Sequence, residues 1–452
     1  METKRSTFTG KIGFVLAAAG SAVGLGNIWR FPYLAAKYGG GIFLLVYIIL
    51  AVTFGFSLMT AEIAIGRKTG KSALGAFGAL DKRFGFAGVI AVLIPAIILP
   101  YYSVIGGWVT KYFATYLTGG GSDASSNSYF GDFTSKVGEP IVWFILFIGV
   151  SIFVVIFGVQ KGIEKVSKIM MPVLVVLSVG IAAYVCFMPG AREGVIYYIK
   201  PDFSNFSFMT VISAMGQLFY SMSLAMGIMI TYGSYMKKEV SLESSVRQIE
   251  LFDTGIAFLA GLMIIPAVFA FSGGDEQALG KGPSLMFVTL PKVFDSFKGG
   301  HILGAVFFLL VLLAALTSSI SLAETIVAPI QEKFGISRTK ACLIVLAGCV
   351  IIGLPSTLGF GLWSDIKPLG MDILSFFDFV SNSIIMPILA FITCIFVGYV
   401  IKPEAIGQEV EEGGFKFKSR KLFYVMIKYV APVFILLILV SSVLDGLGIV
   451  KM

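Results

Sequence analysis

Long apolar stretches recur along the chain, separated by short polar segments. Eleven are predicted to span a membrane, near 10–37, 40–66, 85–118, 139–158, 166–188, 206–236, 246–272, 300–332, 338–355, 371–401 and 421–445. About 20 apolar residues cross a bilayer as a helix. Membrane β-strands alternate polar and apolar positions, and these runs are continuous, so the pattern predicts an all-α polytopic membrane protein. Three intervening segments differ in kind. GGGSDASSNSYFGDFTSKVG (119–138) reads as a polar, flexible loop, and 402–421 as charged and mostly solvated. SLMFVTLPKVF (284–294) is too short to span, and is either an outer lid helix dipping toward the core or an amphipathic loop.

Two spans break the apolar pattern at their middles. GSAVGLGN (20–27) places Gly20, Gly24 and Gly26 within seven residues, followed by Asn27 and Arg30. Glycine costs a helix interior roughly 1 kcal/mol relative to alanine. The sixth span carries GQLFYSMSLAMGIMITYGSY (216–235), with Gln217, Ser221 and Ser223 beside Ala225 and Gly227. Small residues in membrane helices also mark close packing. Two polar, glycine-bearing breaks five spans apart instead predict unwound helices at corresponding positions of two halves, the mark of a transport site. Freed carbonyls bind a cation and freed N–H groups bind a carboxylate. Such backbone persists only where protein or a cavity covers it.

Composition agrees: 57% of residues are hydrophobic and 13% charged. The net charge of +8 follows from a bias in the loops. With the N-terminus inside, 22 Lys and Arg fall on the inner side and 8 on the outer. By the positive-inside rule the N-terminus is cytoplasmic, and an odd span count puts the C-terminus outside. No nucleic-acid partner is needed to explain the charge. No cleavable signal peptide is expected. Cys186, Cys342, Cys349 and Cys394 lie in apolar segments and read as buried thiols. The lone His301 and the absence of an HExxH pattern argue against an intramembrane enzyme.

GSAVGLGNIWRFPYLAAKYGGGIFLLVY resembles the start of the neurotransmitter:sodium symporters, its bacterial amino-acid members above all. The likeness continues in EIAIGR (62–67), PYYSVIGGW (100–108), GQLFYSMSLAMG (216–227), ITYGSY (230–235) and LTSSISLAE (316–324), and covers nearly the whole chain. It implies a five-plus-five inverted repeat, with 1–200 and 201–402 as the two halves and 403–452 as a linker and eleventh span. The common family pattern has twelve spans. The twelfth lies outside the repeat, so no dimer built on it is expected and a monomer suffices.

The resemblance also implies residue roles. One sodium ion would be held by the Ala22 carbonyl, Asn27, Ser221 and Asp253. An intramembrane carboxylate is costly and functional by default, though a hydrogen-bonded structural Asp253 is the alternative. A second sodium would use Gly20, Val23 and Ala314 carbonyls with the hydroxyls of Thr317 and Ser318; those hydroxyls could instead bond back along their own helix. Chloride-requiring relatives carry groups matching Tyr47, Gln217 and Ser221, plus a serine where this chain has Ala257. Asp253 would supply the negative charge, so no chloride requirement is expected.

An amino-acid carboxylate would meet sodium, the amides of Gly24 and Gly26, and Tyr102. Its ammonium would face carbonyls near Ala22, Tyr220, Ser221 and Ser223. Its side chain would face Ile98, Tyr102, Tyr220, Ala225, Met226, Ser318, Ser319 and Leu322. That lining suits a neutral hydrophobic or aromatic L-amino acid; a small amine or other zwitterion is the alternative within transport. Arg30 and Asp378 would pair over the outside of the site, with Tyr220 as an aromatic cover. Arg5 and Glu332 would gate the inside, with Ser234 and Tyr235, although Arg5 could simply be a positive-inside charge. Glu62, Glu324 and Asp372 are expected to be structural. The whole predicts a sodium-driven importer in the bacterial inner membrane, with a channel or a non-transporting sensor of the same fold as rivals.

Overall fold

The computed structural model describes residues 6–273 and 284–446. Arg5 and both chain ends lie outside these residues. Among the described residues, nine continuous helices are long and apolar enough to cross a membrane: Gly41–Thr69, Lys82–Leu117, Gly138–Ile156, Val159–Cys186, Leu242–Ser272, Gly300–Phe334, Arg338–Leu358, Ile373–Val400 and Arg420–Gly446. They correspond to the second to fifth and seventh to eleventh predicted spans. The first span is a bent pair, Lys11–Ala22 and Gly26–Lys37, meeting at 53°. The sixth divides into Phe208–Ser221 and Ile228–Gly233, each too short to cross alone. Among the described residues the protein is all-α; an isolated bridge between Gly40 and Pro201 is the extent of β pairing.

The breaks follow from the local sequence. Gly24 and Gly26 allow approaches that a side chain would block: a Cβ on Gly24 would lie 2.6 Å from Ser318 Oγ, and one on Gly26 would strike the Tyr220 ring. In the sixth span the chain turns through the left-handed region at Ser223 (φ 52°), Ala225 (φ 54°) and Gly227 (φ 71°). Left-handed geometry costs a non-glycine residue roughly 1–2 kcal/mol, so tertiary contacts hold this turn. One is Glu62 of the second span, whose Oε1 accepts the Ala225 N–H at 2.7 Å.

Two segments are more ordered than the polar pattern suggests. Residues 119–138 contain the helices Gly121–Ala124 and Tyr129–Thr134, because Ala124 and Phe133 are buried and Phe130 stacks on Phe287. The segment 402–421 contains the helix Pro403–Glu411, whose Ile406, Glu409 and Val410 are buried. There Arg67 donates to Glu409 at 2.8 Å, both side chains being almost fully enclosed. The same arginine donates to the Val240 carbonyl at 2.9 Å. Most of the segment is exposed or half-exposed, as expected, but one face of the helix is buried and an enclosed ion pair ties it to the second span.

Residues 284–294, too short to span, do dip into the core. Leu285–Thr289 and Leu290–Asp295 are helical. Phe287 is buried against Trp29, Trp108 and Tyr112, and its carbonyl accepts the Tyr112 hydroxyl at 2.8 Å.

Candidate functional site

Both breaks face one small cavity at the centre of the helical bundle. It is lined from the first span by Ser21, Ala22, Gly24, Leu25 and Gly26, from the third by Ile98 and Tyr102, from the sixth by Tyr220, Ser223, Met226 and Ile228, and from the eighth by Ser318 and Leu322. Its volume of about 30 Å³ is room for about one water molecule, so a larger occupant requires the lining to part. No charged side chain is among these residues. The Tyr102 hydroxyl points at the first break, accepting the Leu25 N–H at 3.4 Å. Ser318 donates to the carbonyls of Ser21 (3.1 Å) and Val23 (3.3 Å). Ser21, Leu25 and Ile228 line the cavity without having been singled out in the sequence, although all three neighbour residues that were. Ser221 and Ala225 fall behind its wall, Ser221 toward Asp253 and Ala225 toward Glu62.

Behind the first break lies a buried oxygen cluster. Asp253 is fully enclosed. Its Oδ1 accepts from the Asn27 amide at 2.8 Å and from Ser221 at 2.7 Å. Its Oδ2 accepts from the Tyr47 hydroxyl at 3.1 Å. Asn27 also donates to Ser221 at 2.9 Å, while its Oδ1 accepts the Gly24 N–H at 3.0 Å. Gln217 donates to the Gly26 carbonyl at 2.8 Å, leaving its own Oε1, buried, without a partner. An acid, an amide, a hydroxyl and a broken helix therefore converge out of water. Such oxygen-rich clusters suit a hard cation, and a buried carboxylate in a membrane is costly without an opposite charge.

At the other side of the first helix, Thr317 donates to Leu313 (3.2 Å) and Ala314 (3.0 Å), the helical back-bond that its type allows. A Cβ on Gly20 would lie 3.2 Å from Thr317 Cβ. Gly20, Val23, Ala314, Thr317 and Ser318 are thereby neighbours.

The residues expected at the two gates lie on either side of this centre. Arg30 lies over the Tyr220 ring at 5.3 Å. Asp378 accepts instead from Tyr101 (3.1 Å) and Asn382 (2.5 Å). Among the described residues no ion pair joins Arg30 to Asp378, so the expected direct contact is not made in this conformation. At the end expected to face the cytoplasm, Glu332 accepts from Ser72 Oγ at 2.6 Å. Tyr235 donates to Glu324 at 2.8 Å, and Glu324 also pairs with Arg338. Asp372 caps its helix by accepting the Ser375 N–H at 2.9 Å.

A second inner contact was not anticipated. Glu164 of the fifth span accepts the Thr9 N–H (2.9 Å), the Thr9 hydroxyl and Lys168 (2.7 Å). Gln160 donates to Thr7 O at 2.6 Å. Gly13 was the available signal, since any side chain there would meet the Glu164 carboxylate.

The family model for the sodium:neurotransmitter symporter family matches residues 5–130 and 129–447. An uncharacterized sodium-dependent transporter of Haemophilus influenzae is 35% identical over 97% of this chain and 98% of its own length. The human sodium- and chloride-dependent creatine transporter 1 is 26% identical over 84% of this chain and 67% of its own. The crystal structure of MhsT in complex with L-phenylalanine superposes with a TM-score of 0.87 at 36% identity, covering 97% of this chain and 100% of that one. The broken first and sixth helices are thus set in a known transporter fold, and the chain belongs to the sodium:neurotransmitter symporter family, as a sodium-dependent membrane transporter of a small molecule and not an enzyme.

Proposed function

We propose that this symporter imports a neutral hydrophobic or aromatic L-amino acid, coupled to two sodium ions and without a chloride requirement. The observation that carries this is the convergence of both helix breaks on a cavity whose side chains bear no charge. Backbone groups there serve an ammonium and a carboxylate, and Ile98, Met226 and Leu322 meet an apolar side chain. A relative of the same fold was crystallised with L-phenylalanine, which supports the substrate class. For chloride, the support is Asp253: its carboxylate already sits on Tyr47 and Ser221, the hydroxyls that would otherwise face an anion.

In this scheme sodium binds Asn27, Ser221, Asp253 and the Ala22 carbonyl. It neutralises the acid and holds the first helix in its bent form. The second ion locks Thr317 and Ser318 of the eighth span to Gly20 and Val23, which they already adjoin. The amino acid completes the centre. Inner contacts then part while Arg30, Tyr220 and Asp378 close the outside. Each sodium entering through 100 mV contributes roughly 2.3 kcal/mol. The N-terminus faces the cytoplasm in this arrangement.

The test is uptake of labelled amino acids into proteoliposomes under sodium or potassium gradients, in chloride or gluconate. Accumulation of an apolar amino acid with sodium alone, equal in both anions, is expected. Equal uptake with potassium would remove the ion assignments, and failure in gluconate would remove the role of Asp253.

A further inference from the structure

A second cavity, of about 780 Å³, lies between the end of the tenth span, the first turn of Pro403–Glu411 and the start of the last span. The charge bias places it on the cytoplasmic side. Lys402, Glu404, Tyr399, Tyr424, Lys428 and Tyr429 are among its walls.

Lys428 is the unusual member. It lies eight residues into the last span, about 12 Å along the helix axis, within an otherwise apolar run. Its ammonium is 5.6 Å from the ring centres of both Tyr399 and Tyr429. Among the described residues, no carboxylate lies within 4 Å of Lys428 or Lys402. Arg420, by contrast, has Glu411 at 3.6 Å. Lys402 holds a left-handed backbone (φ 65°), uncommon for a non-glycine residue, at the turn where its side chain meets the cavity.

The mouth opens sideways. Tyr399, Val425 and Tyr429 are all more than half exposed, and tyrosines at this level mark the boundary between hydrocarbon and water. The Tyr399 hydroxyl donates to the Lys428 carbonyl at 2.7 Å, which fixes the two spans together here. An ammonium at this boundary takes an anion or a route to water. Glu404 opposes it from the same wall, leaving the pair of lysines one positive charge in excess.

We infer that this cavity binds the phosphodiester headgroup of an anionic phospholipid, with Lys402 and Lys428 on the phosphate, the tyrosine rings at the glycerol level, and the acyl chains running along the exposed apolar face below. A soluble phosphate has no use for that apolar mouth. Basic pockets between helices at the cytoplasmic surface hold lipid headgroups in this way, each cation adding about 1 kcal/mol.

The test is native mass spectrometry of the full chain from mixed micelles holding equal amounts of phosphatidylglycerol and phosphatidylcholine with matched acyl chains. Preferential retention of one phosphatidylglycerol is expected. Lys402→Gln and Lys428→Gln should each reduce that preference about fivefold, and Lys428→Arg should keep it. Thermal melting of each variant separates lost binding from lost folding, and Lys402, at the surface, gives a second route if Lys428→Gln does not fold. Equal retention of the two lipids, a preference unchanged in both Gln variants, or loss in Lys428→Arg as in Lys428→Gln would overturn the assignment. Displacement of the lipid by millimolar inorganic phosphate would also overturn it, marking a free-phosphate site.

Discussion

The hydroxyl of Ser223 donates to the backbone carbonyl of Ser21 at 2.9 Å, so the two helix breaks, 202 residues apart in sequence, are bonded to each other. The same carbonyl accepts from Ser318 at 3.1 Å. Either serine alone keeps it partnered; removal of both leaves a buried carbonyl bare. Ser223→Ala and Ser318→Ala are each expected to cost about 1 kcal/mol. The double variant should exceed their sum by 0.5 kcal/mol or more. Thermal denaturation in detergent, run as a double-mutant cycle, measures this coupling.

Sodium should stabilise the protein before any amino acid is present. A ligand at a hundred times its dissociation constant adds about 2.7 kcal/mol to the folded state. Melting in sodium against potassium at equal ionic strength should therefore show a clear upward shift. Asp253→Asn, which keeps size and removes charge, should abolish most of it. No shift in the wild type would mean that the Asn27–Ser221–Asp253 cluster is a structural network.

Asp253→Asn should also change the anion requirement. Tyr47 and Ser221 then face no negative charge, and uptake in gluconate should fall at least tenfold, since a buried charge left uncompensated costs several kcal/mol. Chloride should restore part of it. Uptake in paired chloride and gluconate buffers decides the matter.

Tyr102→Phe removes a hydroxyl from a buried backbone N–H and from the proposed carboxylate position. About tenfold weaker apparent affinity is expected, within the 1–3 kcal/mol cost of an unpaired buried group. Sodium-dependent thermal stabilisation should stay near that of the wild type, because Tyr102 does not touch the Asp253 cluster. Saturation uptake and melting together separate the two effects.

Glu409→Ala strands the Arg67 guanidinium under the second span. Breaking a buried pair costs about 3–5 kcal/mol, so a large drop in thermal stability is expected. Replacing both partners by apolar residues should recover much of it. A Glu409→Ala variant as stable as the wild type would show that the helix Pro403–Glu411 is not held by this pair.

The spans and both breaks were legible because hydrocarbon enforces them: long apolar runs must be helices, and glycine clusters with polar neighbours are expensive unless used. Most of the residues expected around the cavity meet there for the same reason. Other features were hidden because they depend on distant partners. Nothing near Glu409 announces that Arg67 waits 342 positions earlier. The serine-rich composition of 119–138 masks Phe130, which stacks on Phe287, and Phe133, which is buried, and these contacts seat two short helices in a segment expected to be a flexible loop. The Arg30–Asp378 contact was expected from resemblance alone, and Asp378 accepts instead from Tyr101 and Asn382, whose proximity no local pattern announces. Glu164 went unnoticed because its partner, Thr9, lies on a segment with no regular pattern.

The bend in the first helix has an evolutionary consequence. In the proposed scheme, much of the grip on an ammonium and a carboxylate comes from main-chain atoms of residues 21–26, exposed by the break itself. A main chain cannot be substituted, so that grip can be inherited unchanged while Ile98, Met226 and Leu322 drift. New cargoes become reachable by single replacements in the wall, and the machinery that reads the ion gradient is left untouched. A lineage built this way diversifies in what it carries long before it diversifies in how it is driven.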